Sequence, residues 1–395
     1  MVLIVSAVFP PEPVVSAQIS KDLANAISAT NEIVVICPKP TRPAGVSFTI
    51  DKHEDSSYKM IILKSLVYPG ASLFGRMIES ISFGRASKKF IQEHNKDISV
   101  IYANTWPLFA QYAVTRECKK LNIPLILHVQ DIYPETLTDR LGLIGPIVRA
   151  LLMPIEKYVM SNVASIVAIG NKMAAYLATS RGIDKNKIIV VFNWQDESRF
   201  KEPEYIQKTE TWFTYMYLGS LSPSANIEAV IEAFGNTGLK DSTLVIAGSG
   251  NSKQSCINAA SVYPNADIRF VNAPYDKVPE LLASADVHIL PLKKGTGKYS
   301  IPSKLAGYMM SSKPVLAFID TESDAADIIK DAECGWIVPS GNIQSLTLKM
   351  QEIHSLPETS LAILGQSGRA YALKHLSKSV NLEKLADLIK NNARE

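Results

Sequence analysis

Residues 213–247, FTYMYLGSLSPSANIEAVIEAFGNTGLKDSTLVIA, hold one complete strand–turn–helix–strand unit. Phe213 to Leu218 is an aromatic and apolar run of strand length, and Gly219 with Ser220 stops it. From Asn226 to Phe234 the apolar residues recur at helical spacing, and Leu244 to Ala247 begins the next strand. Short apolar runs without polar alternation suit parallel strands covered on both faces. The same grammar continues downstream at Ile268 to Val271, Val287 to Leu290 and Val315 to Phe318. Upstream it starts at Val2 to Val8, where Pro10, Pro11 and Pro13 stiffen the following loop. Ile19, Leu23 and Ile27 then share one helical face before the strand Ile33 to Cys37. Further runs at Val100 to Tyr102, Leu125 to Val129, Ser165 to Ile169 and Ile188 to Phe192 complete a first sheet. The polar stretch Gln195 to Thr211 separates the halves, and Leu361 to Lys390 reads as helix. The expectation is an α/β chain of two Rossmann-like domains, 1–195 and 196–370, with a terminal helix 371–395 packing back on the first.

Composition narrows the function. A chain of 395 residues, 47% hydrophobic and 20% charged, has the apolar content of a folded protein rather than of a disordered one. Its formal net charge of +3 lacks the strongly basic balance of a nucleic-acid binder, so no nucleic-acid partner is expected. Cys37, Cys118, Cys256 and Cys334 are widely spaced, without CxxC or a nearby histidine, and read as reduced core thiols of a cytoplasmic protein with no metal site. The opening MVLIVSAVFPPEP reads as a first strand rather than an export signal. Between Leu143 and Met160 the chain is very apolar, but Pro146, Arg149, Pro154, Glu156 and Lys157 interrupt it before a spanning length is reached.

In open α/β sheets, ligands bind beyond the carboxyl ends of the strands, where loops present free backbone N–H groups. Four loops carry polar or glycine residues at such ends: Pro10 to Ala17, His128 to Glu135, Gly219 to Asn226 and Gly295 to Lys304. Two fall in each half, so a cleft between the two sheets is the expected site. Gly219 with Ser220, and Gly248, Ser249 and Gly250, admit a close approach of backbone amides to phosphate oxygens, although ordinary turn chemistry explains glycine at either place alone. Ser303 and Lys304 open the next helical segment, where one ammonium beside an anionic ligand contributes roughly 1.5–3 kcal/mol, with a solvent-facing lysine at a helix start as the other reading.

Read together, FPPEP (9–13), HVQDIYPE (128–135), VVFNWQD (190–196), YLGSLSPSANIEAVIEAF (217–234), IAGSG (246–250), LLASADVHILPL (281–292) and YSIPSKLAGYMMSSKPVLA (299–317) resemble glycosyltransferase family 4 over essentially the whole chain. The VQD-[IL]-x-PE and PSK variants are most similar to the subgroup transferring N-acetylfucosamine-type sugars in O-antigen and capsule assembly. The resemblance implies the GT-B architecture, two facing Rossmann-like domains with an interdomain cleft. It further implies a UDP-sugar as co-substrate without another cofactor, a polyprenyl-diphosphate-linked saccharide as acceptor, and retention of anomeric configuration by front-face attack. In that scheme the departing phosphate takes the acceptor proton, and the protein positions the substrates and stabilises leaving-group charge. The residues it assigns to the chemistry are Gln130 and Asp131; to the donor, Gly219, Ser220, Gly248, Ser249, Gly250, Lys298, Tyr299, Ser303 and Lys304; to the acceptor side, Glu12, Val15, Ser16, His128 and Glu135; and to the hinge, Asn193.

Several positions depart from the family pattern. Gln130 stands where many members carry a histidine, and an amide orients a sugar hydroxyl without shuttling a proton. Tyr299 and Gly307 occupy the places of two glutamates, Ser220 and Ala225 those of a phosphate-binding arginine and lysine, and Val14 and Val15 those of a glycine pair. The diphosphate therefore leans on Lys304, with Lys298 as its neighbour.

From residue 71 to 92, Arg76, Arg85, Lys88 and Lys89 oppose only Glu79, while Phe74, Met77, Ile78 and Ile81 form an apolar stripe. A core-facing helix with a solvated basic side fits this pattern. So does a helix on a membrane surface, and the lipid-linked acceptor implied above favours that second reading, with Leu143 to Met153 as another docking surface. The expected location is the cytoplasmic face of a bacterial inner membrane. Two other readings keep the paired sheets: a nucleotide-sugar epimerase, which would work without acceptor, and a non-catalytic nucleotide-sugar-binding scaffold, for which the missing glutamates argue. A dehydrogenase does not fit, because PPEP rather than GxGxxG follows the first strand.

Overall fold

The computed structural model describes residues 1–41, 48, 57–68, 72–104, 107–139, 141–200, 212–297 and 301–394. The chain divides into two compact units, Met1–Asn193 with Asn381–Glu395, and Trp194–Val380. The first carries strands β1 (Val2–Ser6), β2 (Ile33–Cys37), β3 (Lys59–Ile62), β4 (Val100–Asn104), β5 (Leu125–Val129), β6 (Ser165–Ala168) and β7 (Ile188–Val190). They form a seven-stranded sheet in the order β3-β2-β1-β4-β5-β6-β7, with every pairing parallel. The order reverses between β1 and β4, the kind of switch point at which open parallel sheets form a crevice beyond the strand ends.

The second unit repeats the plan with β8 (Phe213–Leu218), β9 (Ser242–Ala247), β10 (Asp267–Val271), β11 (Val287–Pro291), β12 (Val315–Ile319) and β13 (Gly335–Pro339). Its six strands run in the order β10-β9-β8-β11-β12-β13, again all parallel, and the reversal falls between β8 and β11. In each sheet the central strands are sealed by helices on both faces; all five residues of β1, β4, β11 and β12 are buried. Burying each large aliphatic side chain there is worth roughly 1.5–3 kcal/mol, which is why the runs are apolar throughout.

Two strands, β3 and β13, have no counterpart in the sequence reading. Both lie at sheet edges and are only partly buried, so they lack the uninterrupted apolar signature of the central strands. The segment read as helical, Leu361 to Lys390, is so, in two helices, Glu358–His375 and Lys378–Asn392. Gln195 causes the break: its N–H donates to Leu376 O (3.2 Å) and its carbonyl accepts from Lys378 N (2.9 Å), forming a bridge with Ser377. The helix Glu358–His375 stays in the second unit because Gly365 and Gly368 let it approach closely; a Cβ on Gly365 would sit 2.0 Å from Ser312 O. The return to the first unit therefore begins at Asn381 instead of residue 371. There Asn381 Oδ1 accepts from Phe192 N (3.1 Å), and Arg394 Nε donates to Ile98 O (2.7 Å).

Candidate functional site

In the second unit the donor-side residues gather at the switch point. Gly219 follows β8, and the loops after β8 and β9 are bonded backbone to backbone through Leu221 N to Ser249 O (2.8 Å) and Ser252 N to Leu221 O (2.9 Å). This contact requires glycine. A Cβ on Gly248 would lie 2.1 Å from Gly219 O, and one on Gly250 would lie 2.2 Å from Leu221 O. Ser220 and Ser249 remain exposed at the mouth.

Lys304, from the helix Lys304–Met310, reaches back across this loop. Its Nζ donates to Tyr217 Oη (2.8 Å) and stands 4.4 Å from the Tyr217 ring centre, and a Cβ on Gly219 would come within 2.8 Å of the ammonium. Tyr217 Oη in turn donates to Ser220 O (2.7 Å). Tyr308, from the same helix as Lys304, braces the strand end by accepting from Leu218 N (2.9 Å) and donating to Leu218 O (2.8 Å). Among the described residues no carboxylate contacts Lys304, and burial pulls its pKa down to about 8. The fold thus holds a cation inside, against its solvation preference, beside loops whose backbone is laid open by glycine.

Ser303 precedes that helix but its hydroxyl makes no capping bond; its carbonyl accepts from Gln195 Nε2 (3.4 Å). Gly307 lies within the same helix and faces inward: a Cβ there would meet Leu282 and Phe200 at 3.6 and 3.7 Å. Lys298 and Tyr299 lie outside the described residues.

In the first unit, Asn104 at the end of β4 donates to Ser16 O (2.8 Å) and Ser20 Oγ (3.0 Å), which fixes the start of the helix Val15–Ile27 beside the β1–β4 switch point. Val14 and Val15 stand exposed there. Glu12 points inward, accepting from Thr41 N (2.9 Å), and with burial it helps to push the Cys37 thiol up to about 12.

Beyond β5, a hydrogen-bonded row leads from the core to Gln130. Tyr102 Oη meets His128 Nδ1 (2.6 Å), His128 Nε2 meets Gln130 Nε2 (3.0 Å), and Asn193 Nδ2 donates to Gln130 Oε1 (2.9 Å). Because the Gln130 amide N–H donates, His128 Nε2 must accept, and the ring proton sits on Nδ1 toward Tyr102. Burial lowers the His128 pKa to about 3, so the ring is neutral. Both nitrogens are engaged, so His128 is a support for Gln130 rather than a ligand contact. Asn193, read as a hinge, is the other support. Asp131 is exposed next to Gln130.

Glu135 is likewise a support. Its Oε1 accepts from Arg149 Nη2, Tyr176 Oη and Arg181 Nη1, each at 2.7 Å, and its Oε2 accepts from Arg181 Nη2 at 2.7 Å. These cationic and hydroxyl donors hold its pKa down to about 2 despite burial. Arg181, whose side chain is fully buried, also binds Glu156 (2.5 Å) and the Tyr133 carbonyl (2.9 Å), clamping the loop between Gln130 and Glu135. Sequence reading missed Tyr102, Asn104, Arg181, Tyr217 and Tyr308, which lie inside ordinary-looking strands and helices. The one signal was alternation: Tyr217 stands two residues before Gly219 and Tyr102 two before Asn104, on the same strand face.

The basic-apolar helix spans Leu73–Glu93. Phe74 (67%), Met77 (36%) and Ile78 (38%) are exposed, so the stripe does not face the core. Arg76 and Lys88 are neutralised by Glu79 (3.2 Å) and Glu117 (3.6 Å). On the helix Gly145–Ser161 and the turn before it, Leu143, Ile144, Ile147 and Leu151 are exposed too. No helix among the described residues is long and apolar enough to cross a membrane, none of their His, Cys, Asp and Glu side chains form a cluster suited to a metal ion, and all four cysteines are buried and unpaired.

Comparison with known proteins places these units in context. Residues 198–371 match the family of glycosyl transferases group 1, and residues 17–199 match glycosyltransferase family 4. The chain is 24% identical over 284 residues to the probable glycosyltransferase WbjE of Pseudomonas aeruginosa, covering 68% of this chain and 69% of that one. It is 26% identical over 200 residues to the putative colanic acid biosynthesis glycosyl transferase WcaI of Escherichia coli K12, covering 47% and 48%. Among solved structures, Anabaena Alr3699/HepE in complex with UDP superposes with a TM-score of 0.71 at 14% identity, over 99% of both chains.

Proposed function

With the two family matches running together from residue 17 to 371, the chain belongs to the group 1, family 4 glycosyltransferases of GT-B fold, and from that premise we propose a specific reaction. It transfers a hexosamine-type sugar, of the N-acetyl-L-fucosamine kind, from a UDP-sugar to a polyprenyl-diphosphate-linked saccharide during bacterial surface polysaccharide synthesis. The observation that carries the reading is Lys304, a buried ammonium without a carboxylate partner among the described residues, set over Gly219 where the strand order reverses. A diphosphate supplies the missing counter-charge, and Gly219, Ser220, Gly248, Ser249 and Gly250 let backbone and hydroxyl groups approach it. The relatives named for colanic acid synthesis and for a UDP complex support the substrate class.

Gln130, with one amide hydrogen and one oxygen lone pair left over from its supports, orients a sugar hydroxyl or carbonyl. It cannot act as a general base, which agrees with a retaining, front-face displacement in which the leaving phosphate takes the acceptor proton. Charge at the leaving group is then balanced by Lys304 and backbone amides, so the reaction needs neither a metal ion nor another cofactor and persists in EDTA. Exposed Phe74, Met77, Leu143 and Ile147 support peripheral association with the inner face of the bacterial inner membrane, where a lipid-linked acceptor resides.

A thermal-shift panel of UDP, GDP, TDP and several UDP-sugars tests the donor assignment. The reading expects stabilisation by uridine compounds that is lost in Lys304→Met. Stabilisation by GDP or TDP alone would replace the donor, and no response to any nucleotide would refute the reading.

A further inference from the structure

Tyr217 lies on β8 two residues before Gly219 and is fully buried, yet its hydroxyl touches two separate parts of the donor side. It accepts from Lys304 Nζ (2.8 Å) and donates to Ser220 O (2.7 Å). We propose that Tyr217 is a positioning residue for the donor diphosphate, whose phenol holds the Lys304 ammonium and the Gly219–Ser220 turn at a fixed separation before the ligand arrives. The inference rests on the assignment of Lys304 to the diphosphate in the reading above, and it adds the residue that aims the charge.

A strand sealed on both faces has no packing need for a hydroxyl at this position, since phenylalanine fills the same ring volume. A buried phenol costs free energy unless it is hydrogen-bonded, and both bonds of Tyr217 go to groups of the site. Tyr215, two residues earlier on the same strand face, instead donates its hydroxyl into the core, to Met350 O (2.6 Å). An ammonium has three N–H donors. Tyr217 takes one, and no other acceptor bonds Lys304 among the described residues, which leaves two for ligand oxygens. The ring itself stands 4.4 Å from Nζ, within the range of a cation–π contact. A lysine already held in this way loses less rotamer freedom when a diphosphate binds.

The other bond of the phenol fixes backbone. Ser220 O accepts from Tyr217 Oη and from Ser222 N (3.1 Å), while the N–H of the same peptide, on Leu221, donates to Ser249 O (2.8 Å). The peptide is thus pinned at both ends, with its carbonyl turned toward the protein rather than toward an incoming anion. The Ser220 N–H has no acceptor among the described residues and is left over at this turn as an anion donor. Cys256 and Tyr308, the other titratable groups set against the phenol, are kept neutral by burial, so Lys304 carries the charge that Tyr217 aims.

Isothermal titration of the full chain with UDP, for wild type, Tyr217→Phe, Lys304→Met and the double variant, tests the inference. Phenylalanine keeps the ring, and Ser220 O keeps its bond from Ser222, so Tyr217→Phe folds, as thermal melting without nucleotide will show. It binds UDP roughly tenfold more weakly than wild type, and most of that loss disappears when residue 304 is already methionine. An ammonium deprived of its acceptor gives up its proton more readily, so the pH at which UDP affinity falls off moves down in Tyr217→Phe, a change that altered packing alone does not produce. Equal losses in the two backgrounds, an unmoved pH profile, or wild-type affinity in Tyr217→Phe each overturn the inference, and with Lys304→Met still weakened they leave the donor reading standing. Wild-type affinity in Lys304→Met refutes the donor reading itself, and this inference with it.

Discussion

Lys304 makes nucleotide affinity a function of pH in a range where the diphosphate itself is already ionised. With its pKa near 8 in the free protein, about nine-tenths of the side chain is charged at pH 7 and about one-tenth at pH 9. A bound diphosphate raises that pKa, since an opposite charge favours the ammonium. Binding is therefore linked to proton uptake, and Kd for UDP rises about tenfold between pH 7 and pH 9, or about 1.4 kcal/mol. Lys304→Arg keeps a cation throughout this range and carries the control for titration of the ligand. Lys304→Met removes the charge-assisted contact and weakens binding roughly 10- to 150-fold, with little slope from the side chain. Isothermal titration at pH 7, 8 and 9 reads all three. A wild-type slope equal to that of Lys304→Arg would refute the desolvated ammonium of lowered pKa.

The same ammonium opposes folding when the site is empty, because the native state depresses a pKa of 10.5 to about 8 and the unfolded chain binds more protons between those values. Without nucleotide, Lys304→Met should melt a few degrees higher than wild type at pH 7, with the gap closing as pH rises above 8. Gly248→Ala forces a Cβ to within 2.1 Å of Gly219 O, and it should abolish the thermal response to UDP at a cost to the stability of the second unit. Arg181→Met strands Glu156 and leaves Glu135 with only Arg149 and Tyr176, and should cost roughly 3–5 kcal/mol, lowering the melting temperature of the first unit by about 10 °C, whereas Glu156→Gln costs far less. His128→Phe removes the acceptor for the Gln130 amide and should lower kcat with the Kd for UDP unchanged; a change in Kd instead would place the row on the donor side.

The fold was legible where strands are covered on both faces. Phe213 to Leu218 and Val315 to Phe318 announce themselves because nothing polar is tolerated there, whereas β3, with Lys59 exposed, and β13, bounded by Gly335 and Pro339, carry no comparable demand. The donor loops were legible for a related reason, since Gly248 and Gly250 answer to backbone contacts that exclude any side chain. Roles were harder to read than positions. Glu12 occurs in the expected loop, whereas His128 lies within β5 and Glu135 opens a short helix, and each is turned inward to a partner distant in sequence: Thr41, Tyr102 and Arg181. A buried support and an exposed ligand contact use the same residue types, and only the partner, which no local pattern encodes, tells them apart.

The central claim is acceptor-dependent transfer from a nucleotide sugar, and 31P NMR of the full chain with a UDP-sugar and a polyprenyl-diphosphate-linked saccharide in EDTA follows it directly. The account predicts free UDP appearing one for one with glycosylated acceptor, and no turnover when acceptor is omitted. An unchanged UDP-sugar across the panel of donors that bind, or its conversion to a different UDP-sugar without acceptor, would contradict it.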